Sequence, residues 1–211
     1  IWLGFIIEDK PKGFVEQHKL KKQRPLAGLK QVLINPQNWY AGLYTALLNL
    51  PIIVLCALWG ASYLKTVHHF SDLAASNIVS CIYIGSIIGC PLAGYLSDSH
   101  GVRKIFMVAG AITSLSVVLP LIFQTSFNQA ELSLLFFALG FFTSTQIIAY
   151  PLVAESNPEA YTGTAIGIAS IIIMGGGALG QLVFGWLLEA HANRHTHHLH
   201  RADFQFAMWL F

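Results

Sequence analysis

Seven uncharged polar side chains interrupt apolar runs of this sequence, and their spacing suits the binding of a small polar solute. Thr45, Asn49, Cys56 and Tyr63 recur at i, i+4, i+11 and i+18, which puts them on one face of a helix. Thr143, Gln146 and Tyr150 share a face on a later run. Pro51 follows the start of the first set and Pro151 follows the second. A proline inside a helix removes a donor and frees a carbonyl. An uncharged hydrogen-bonding stripe beside such a break suits a water-filled cavity, so Thr45, Asn49, Tyr63, Thr143, Gln146 and Tyr150 are its candidate lining. The competing reading is hydrogen bonding between helices, which is common and modest in strength within membranes. No catalytic residue, cofactor or metal site is assigned, and the chain is not expected to be an enzyme.

Composition names the elements that must hold these side chains. Of 211 residues, 55% are hydrophobic and only 10% charged, and the mean hydropathy is +0.58. Soluble domains carry about 25% charged residues. The pattern is that of an all-α, multi-pass membrane protein with the lipid bilayer as its surroundings. A net charge of +2 and the lack of a basic patch interleaved with aromatics exclude nucleic acid as a partner. Cys56, Cys81 and Cys90 all fall in apolar runs, and three cysteines without a CxxC pair read as free thiols.

Five apolar runs, 39–64, 75–96, 104–123, 132–154 and 161–188, are each long enough to cross the hydrocarbon layer at about 20 residues per span. They must be helices, because lipid satisfies no backbone group. Residues 1–7 read as the end of a preceding span, 8–37 as a basic loop, and 38–211 as a helical bundle whose last helix is cut short. The chain is therefore expected to be a fragment. Asn35 and Asn157 read as helix caps, each followed by a proline in the first turn.

Lys and Arg orient the bundle. Residues 8–37, the 97–104 turn and the Glu155 turn together hold nine of them, and the other side holds Lys65, Arg194 and Arg201. By the positive-inside rule the first group is cytoplasmic. Residues 189–203, with His191, His195, His197, His198 and His200, then lie outside. Imidazoles bind metals, but a single interrupted cluster reads better as a solvated loop than as the site of a membrane metalloenzyme. No charged residue or histidine lies deep in a span, so this chain offers no intramembrane proton-coupling group. The fifth run carries Gly163/Gly167 and Gly176/Gly180, two small-xxx-small pairs for close helix packing or for bending.

The stretch Gly94-x-Leu96-Ser97-Asp98-x-x-Gly101-x-Arg103-Lys104 resembles the cytoplasmic loop motif of the major facilitator superfamily. As a sequence it reads as a tight hairpin: Gly94 lets backbones approach, Gly101 takes a positive φ, and Arg103 and Lys104 open the next helix. Ser99 and Val102 stand where the family commonly has basic residues, a departure typical of the motif's second copy. The stretch 155–167 looks like the family's turn from the tenth into the eleventh helix.

The resemblance implies half of a twelve-helix fold, five complete helices corresponding to the seventh to eleventh, with truncated ends. It implies a proton-coupled secondary transporter of a small-molecule substrate by alternating access, in a plasma (bacterial inner) membrane. The missing N-terminal six-helix half would be its main partner. In that family the motif closes the cytoplasmic side, which makes Gly94, Asp98, Gly101, Arg103 and Lys104 gate candidates, with Asp98 pairing Arg103. A non-transporting receptor of the same fold is the alternative.

Overall fold

The computed structural model describes residues 27–124, 126–192 and 200–211. They form helices throughout: α1 Ala27–Ile34, α2 Pro36–Val54, α3 Gly60–His68, α4 Asp72–His100, α5 Arg103–Phe123, α6 Gln129–Thr143, α7 Ala149–Glu155, α8 Thr162–Ala192 and α9 Arg201–Met208. A π turn, Leu55–Trp59, joins α2 to α3, and a 3₁₀ turn, Ser144–Ile148, joins α6 to α7. Among the described residues, five helical stretches are therefore long and apolar enough to cross a membrane: Pro36–His68, Asp72–His100, Arg103–Phe123, Gln129–Glu155 and Glu159–Ala192. These are the five expected spans, extended by a turn or so at most ends. The extensions are polar caps: Asn35 accepts from the Gln37 N–H at 3.1 Å, Ser71 from Ala74 at 3.3 Å, and Asn128 with Glu131 forms a reciprocal capping box.

The 8–37 segment is not loop to its end. α1 occupies residues expected to be loop, and the first span begins at Pro36. Val32 of α1 is fully buried and packs with Ala41, Val153, Ala165 and Ala169. Its apolar face was hidden among charged neighbours, of which Lys30 is exposed. Lys10, Lys12, Lys19, Lys21, Lys22 and Arg24, and the expected span end at 1–7, lie outside the described residues.

Two closely packed pairs of spans build the bundle, the first through backbone and the second through side-chain atoms. The second span lies against the fourth at Gly85 and Gly140, where a Cβ would strike the Phe137 and Ile82 carbonyls respectively. The fifth lies against the first, with Gly176 over Ala46 and Gly180 over Leu50. Without a hydrophobic drive between helices in lipid, such close van der Waals contact is what holds spans together. Gly94, expected to serve this purpose, faces open space, as do Gly163 and Gly167. Spacing marks a small residue but does not say which face meets a neighbour. The outward surface is apolar, with Ile87, Ile112 and Leu182 exposed, as a lipid-facing surface requires.

Both spans with polar stripes leave α geometry near their prolines. Downstream of Pro51 the chain widens into the π turn, and Gly60 accommodates it, since a Cβ there would overlap the Leu55 carbonyl. Gln181 of the fifth span donates to the Ile53 carbonyl just ahead of the turn, at 3.3 Å. Upstream of Pro151 the fourth span tightens into the 3₁₀ turn that carries Gln146.

Candidate functional site

The hairpin is tighter than a loop. α4 runs through His100, α5 starts at Arg103, and only Gly101 and Val102 lie between. Gly101 adopts φ +64° and closes the helix through its N–H to the Ser97 carbonyl, at 3.1 Å. This turn aims Arg103 back across the helix end. Its Nη1 donates to Asp98 Oδ1 at 2.9 Å and reaches Ser97 Oγ at 3.4 Å. Its Nε and Nη2 donate to the two oxygens of Glu155 at 2.7 and 2.5 Å. Parallel two-point pairing of this kind is stronger and more directional than a single contact.

Arg103 thus ties the second, third and fourth spans together at one end of the bundle. Its side chain is 17% exposed, whereas Asp98 is 66% and Glu155 57% exposed. Water reaches the carboxylates, so parting the ion pairs would leave neither acid dry. Lys104 is exposed and makes no ion pair among the described residues. Ser99 bonds back to the Leu96 carbonyl at 3.1 Å, where a basic residue would reach outward. The sequence offers Glu155 only as part of a turn. Its partnership with Arg103 spans 52 positions, and only its acidity at a helix end hinted at it.

The polar stripes resolve into one pair and several buried groups. Gln146 Nε2 donates to Asn49 Oδ1 at 3.3 Å, joining the first and fourth spans with both side chains half-buried. Tyr150 is also half-buried. Thr45 is buried and bonds the Gln146 carbonyl at 3.4 Å, so it supports the pair instead of lining a cavity. Thr143 is fully buried and turns back onto the Leu139 carbonyl at 2.6 Å. Tyr63 is 2% exposed, donates to the Leu121 carbonyl at 3.4 Å and packs edge-on against Phe204. It leaves the stripe because the π turn inserts a residue, rotating everything beyond it by about 100°. Grooves of about 280 and 470 Å³ lie between the first and third spans and are lined by Tyr44, Pro51 and Met107, among others; neither includes Asn49 or Gln146.

At the opposite end, His191 Nδ1 meets Asp203 Oδ1 at 2.5 Å and the His200 backbone N–H donates to Asp203 Oδ2 at 2.6 Å. Asp203 is 3% exposed. Burial pushes its carboxyl pKa up, but the bonds from His191 and His200 outweigh this and hold it below the usual value. The pairing fastens the end of α8 to the start of α9. Among the described residues no group of three His, Cys, Asp or Glu is placed to hold a metal ion. His195, His197 and His198 lie outside the described residues.

Comparison with known proteins gives this chain a family and several relatives. The family model described as Major Facilitator Superfamily matches residues 52–211. The membrane sensor protein UhpC of Salmonella typhimurium is 28% identical over 167 residues, 75% of this chain and 36% of the relative. A probable hexose phosphate transport protein of Chlamydia pneumoniae is 33% identical over 113 residues, 52% of this chain and 25% of the relative. The arabinose-proton symporter of Bacillus subtilis is 32% identical over 62 residues, 29% of this chain and 13% of the relative. The chain thus spans about a third, or less, of the length of these curated relatives. No solved structure matches it at the same stringency.

Proposed function

Since this chain belongs to the major facilitator superfamily, we propose that it works as the C-terminal half of a secondary transporter moving a small polar solute by alternating access. The observation that carries this reading is the Arg103 lock: one guanidinium joins three spans at one end of the bundle through solvent-reachable carboxylates. Such a contact has two discrete arrangements, made and broken, which a gate requires. In this reading Gly94, Asp98, Gly101, Arg103 and Lys104 belong to the gate with Glu155. The hairpin end is cytoplasmic, residues 189–203 face outward, and the protein sits in a plasma membrane. An N-terminal six-helix half completes the gate and the path. Basic residues 8–37, including α1, connect the two halves.

The Asn49–Gln146 pair belongs in this account as a solute-binding element. Two neutral amides present both donors and acceptors, which suits hydroxyl groups. That preference is in keeping with relatives named for hexose phosphate and arabinose transport. Proton coupling would draw on groups outside the described spans.

The likeness to a membrane sensor protein favours a second reading, a receptor that binds a solute without moving it. Reconstitution of the full protein in liposomes separates the two. A transporter exchanges preloaded unlabelled sugar or sugar phosphate for external radiolabel. A receptor shows thermal stabilisation by the same solute but no exchange.

A further inference from the structure

Two residues after Glu155, the chain enters a buried amide cluster that the lock does not use. Asn38 is fully buried and Asn157 is 9% exposed. Their side chains bond reciprocally: Asn157 Nδ2 donates to Asn38 Oδ1 at 2.6 Å, and Asn38 Nδ2 to Asn157 Oδ1 at 3.1 Å. The second donor on each amide is also satisfied, Asn38 to the Val32 carbonyl of α1 at 2.9 Å and Asn157 to the Val153 carbonyl at 2.7 Å. Asn35, between α1 and α2, donates to the Ser156 carbonyl at 2.8 Å. Every residue of the turn 155–157 is therefore held: Glu155 by Arg103, Ser156 by Asn35, Asn157 by Asn38.

From this arrangement we infer that Asn38 and Asn157 are positioning residues for the lock: they fix the turn that presents Glu155 to Arg103, and so couple α1 to the hairpin. A satisfied buried network has one good arrangement and several costly ones. Withdrawing α1 strands the second donor of Asn38, which loosens the turn and lengthens the reach from Glu155 to Arg103. The segment ahead of the bundle thereby sets how often the lock is closed. The inference rests on the transporter reading only for calling the lock a gate; the coupling itself is a property of the packing.

The test uses the full protein, purified in detergent, with Cys56, Cys81 and Cys90 replaced by alanine. Ser97 is fully buried beneath Arg103, and Ile78 is fully buried in the core. A Ser97→Cys thiol reports lock opening by its rate of maleimide labelling, and an Ile78→Cys thiol reports general loosening. Asn38→Ala, which removes three buried hydrogen bonds but none to Arg103 or Glu155, raises the Ser97→Cys rate about fivefold or more, about fivefold being the change expected if the equivalent of one of the three is felt at the lock. It leaves the Ile78→Cys rate unchanged. In a Glu155→Gln background, where the lock is already weak, Asn38→Ala adds nothing further. An unchanged Ser97→Cys rate, equal increases at both thiols, or the same fivefold gain in the Glu155→Gln background would overturn the coupling. Should Asn38→Ala not fold, Asn35→Ala at the edge of the cluster gives the same three readings. None of them measures transport, so a failure here is distinct from a failure of the functional reading.

Discussion

Arg103 grips Glu155 through two hydrogen bonds, at 2.7 and 2.5 Å, yet holds Asp98 through one at 2.9 Å. The hairpin's own acid is the lesser partner. Glu155→Gln keeps the shape of the side chain but loses the charge, and it should slow solute exchange more than Asp98→Asn does. Exposed ion pairs contribute about 0.2–1 kcal/mol, so both variants should keep their thermal stability within a few degrees while exchange changes severalfold. Side-by-side exchange rates and melting curves check this ordering.

The Asn49–Gln146 contact predicts a shared effect on affinity. Asn49→Ala and Gln146→Ala should each weaken solute binding by about five- to tenfold, the size of one hydrogen bond to a polar ligand. The double variant should cost less than the product of the two, since each single change already breaks the pair. Isotherms for the three proteins decide this; three unchanged affinities would remove both residues from the solute site.

Glycines with opposite surroundings give a stability contrast. Gly140→Val drives a branched side chain into the Ile82 carbonyl, so the second and fourth spans must separate. Overpacking of this kind costs about 1–3 kcal/mol or more. Gly94→Ala adds a Cβ that meets no atom within 4 Å and should leave the melting temperature unchanged or raise it slightly, because glycine is a poor helix former. Detergent melting curves measure both.

At the other end, Asp203 makes stability depend on pH in a defined direction. Its folded pKa lies below the ordinary 3.8. The contribution is therefore complete above the unfolded value and is lost as pH falls through the lower, folded one. Asp203→Asn should lower the melting temperature near neutrality and flatten the acid limb of the stability profile below about pH 4.

Much of the fold was legible because lipid leaves few choices. A run of about 20 apolar residues must be a helix, and all five runs are. Gly101 was legible too, since the hairpin needs a residue at positive φ. What could not be read was azimuth and partner. Gly94 and Gly140 look alike in sequence, but only one faces a neighbouring backbone. Tyr63 fits the stripe until the π turn shifts the helix phase, and nothing local to Pro51 announces an inserted residue. Thr143 satisfies itself on its own helix, as threonine can wherever a carbonyl lies one turn back. Glu155 and Asn38 acquire their roles from residues more than 50 positions away. α1 is not legible because eight residues are too few for helical periodicity to stand out beside the basic run that precedes them.

The most direct test of the account is a charge exchange between Arg103 and Glu155, read by solute exchange in liposomes. Arg103→Glu alone and Glu155→Arg alone each place like charges together and should nearly abolish exchange. The double variant restores an opposite pair across the same gap, although an acid at position 103 now faces Asp98, and it should recover part of the rate, more so with Asp98→Asn added. Double-variant exchange no faster than the slower single variant, or single variants as active as the parent, would contradict the lock as the gate of this protein.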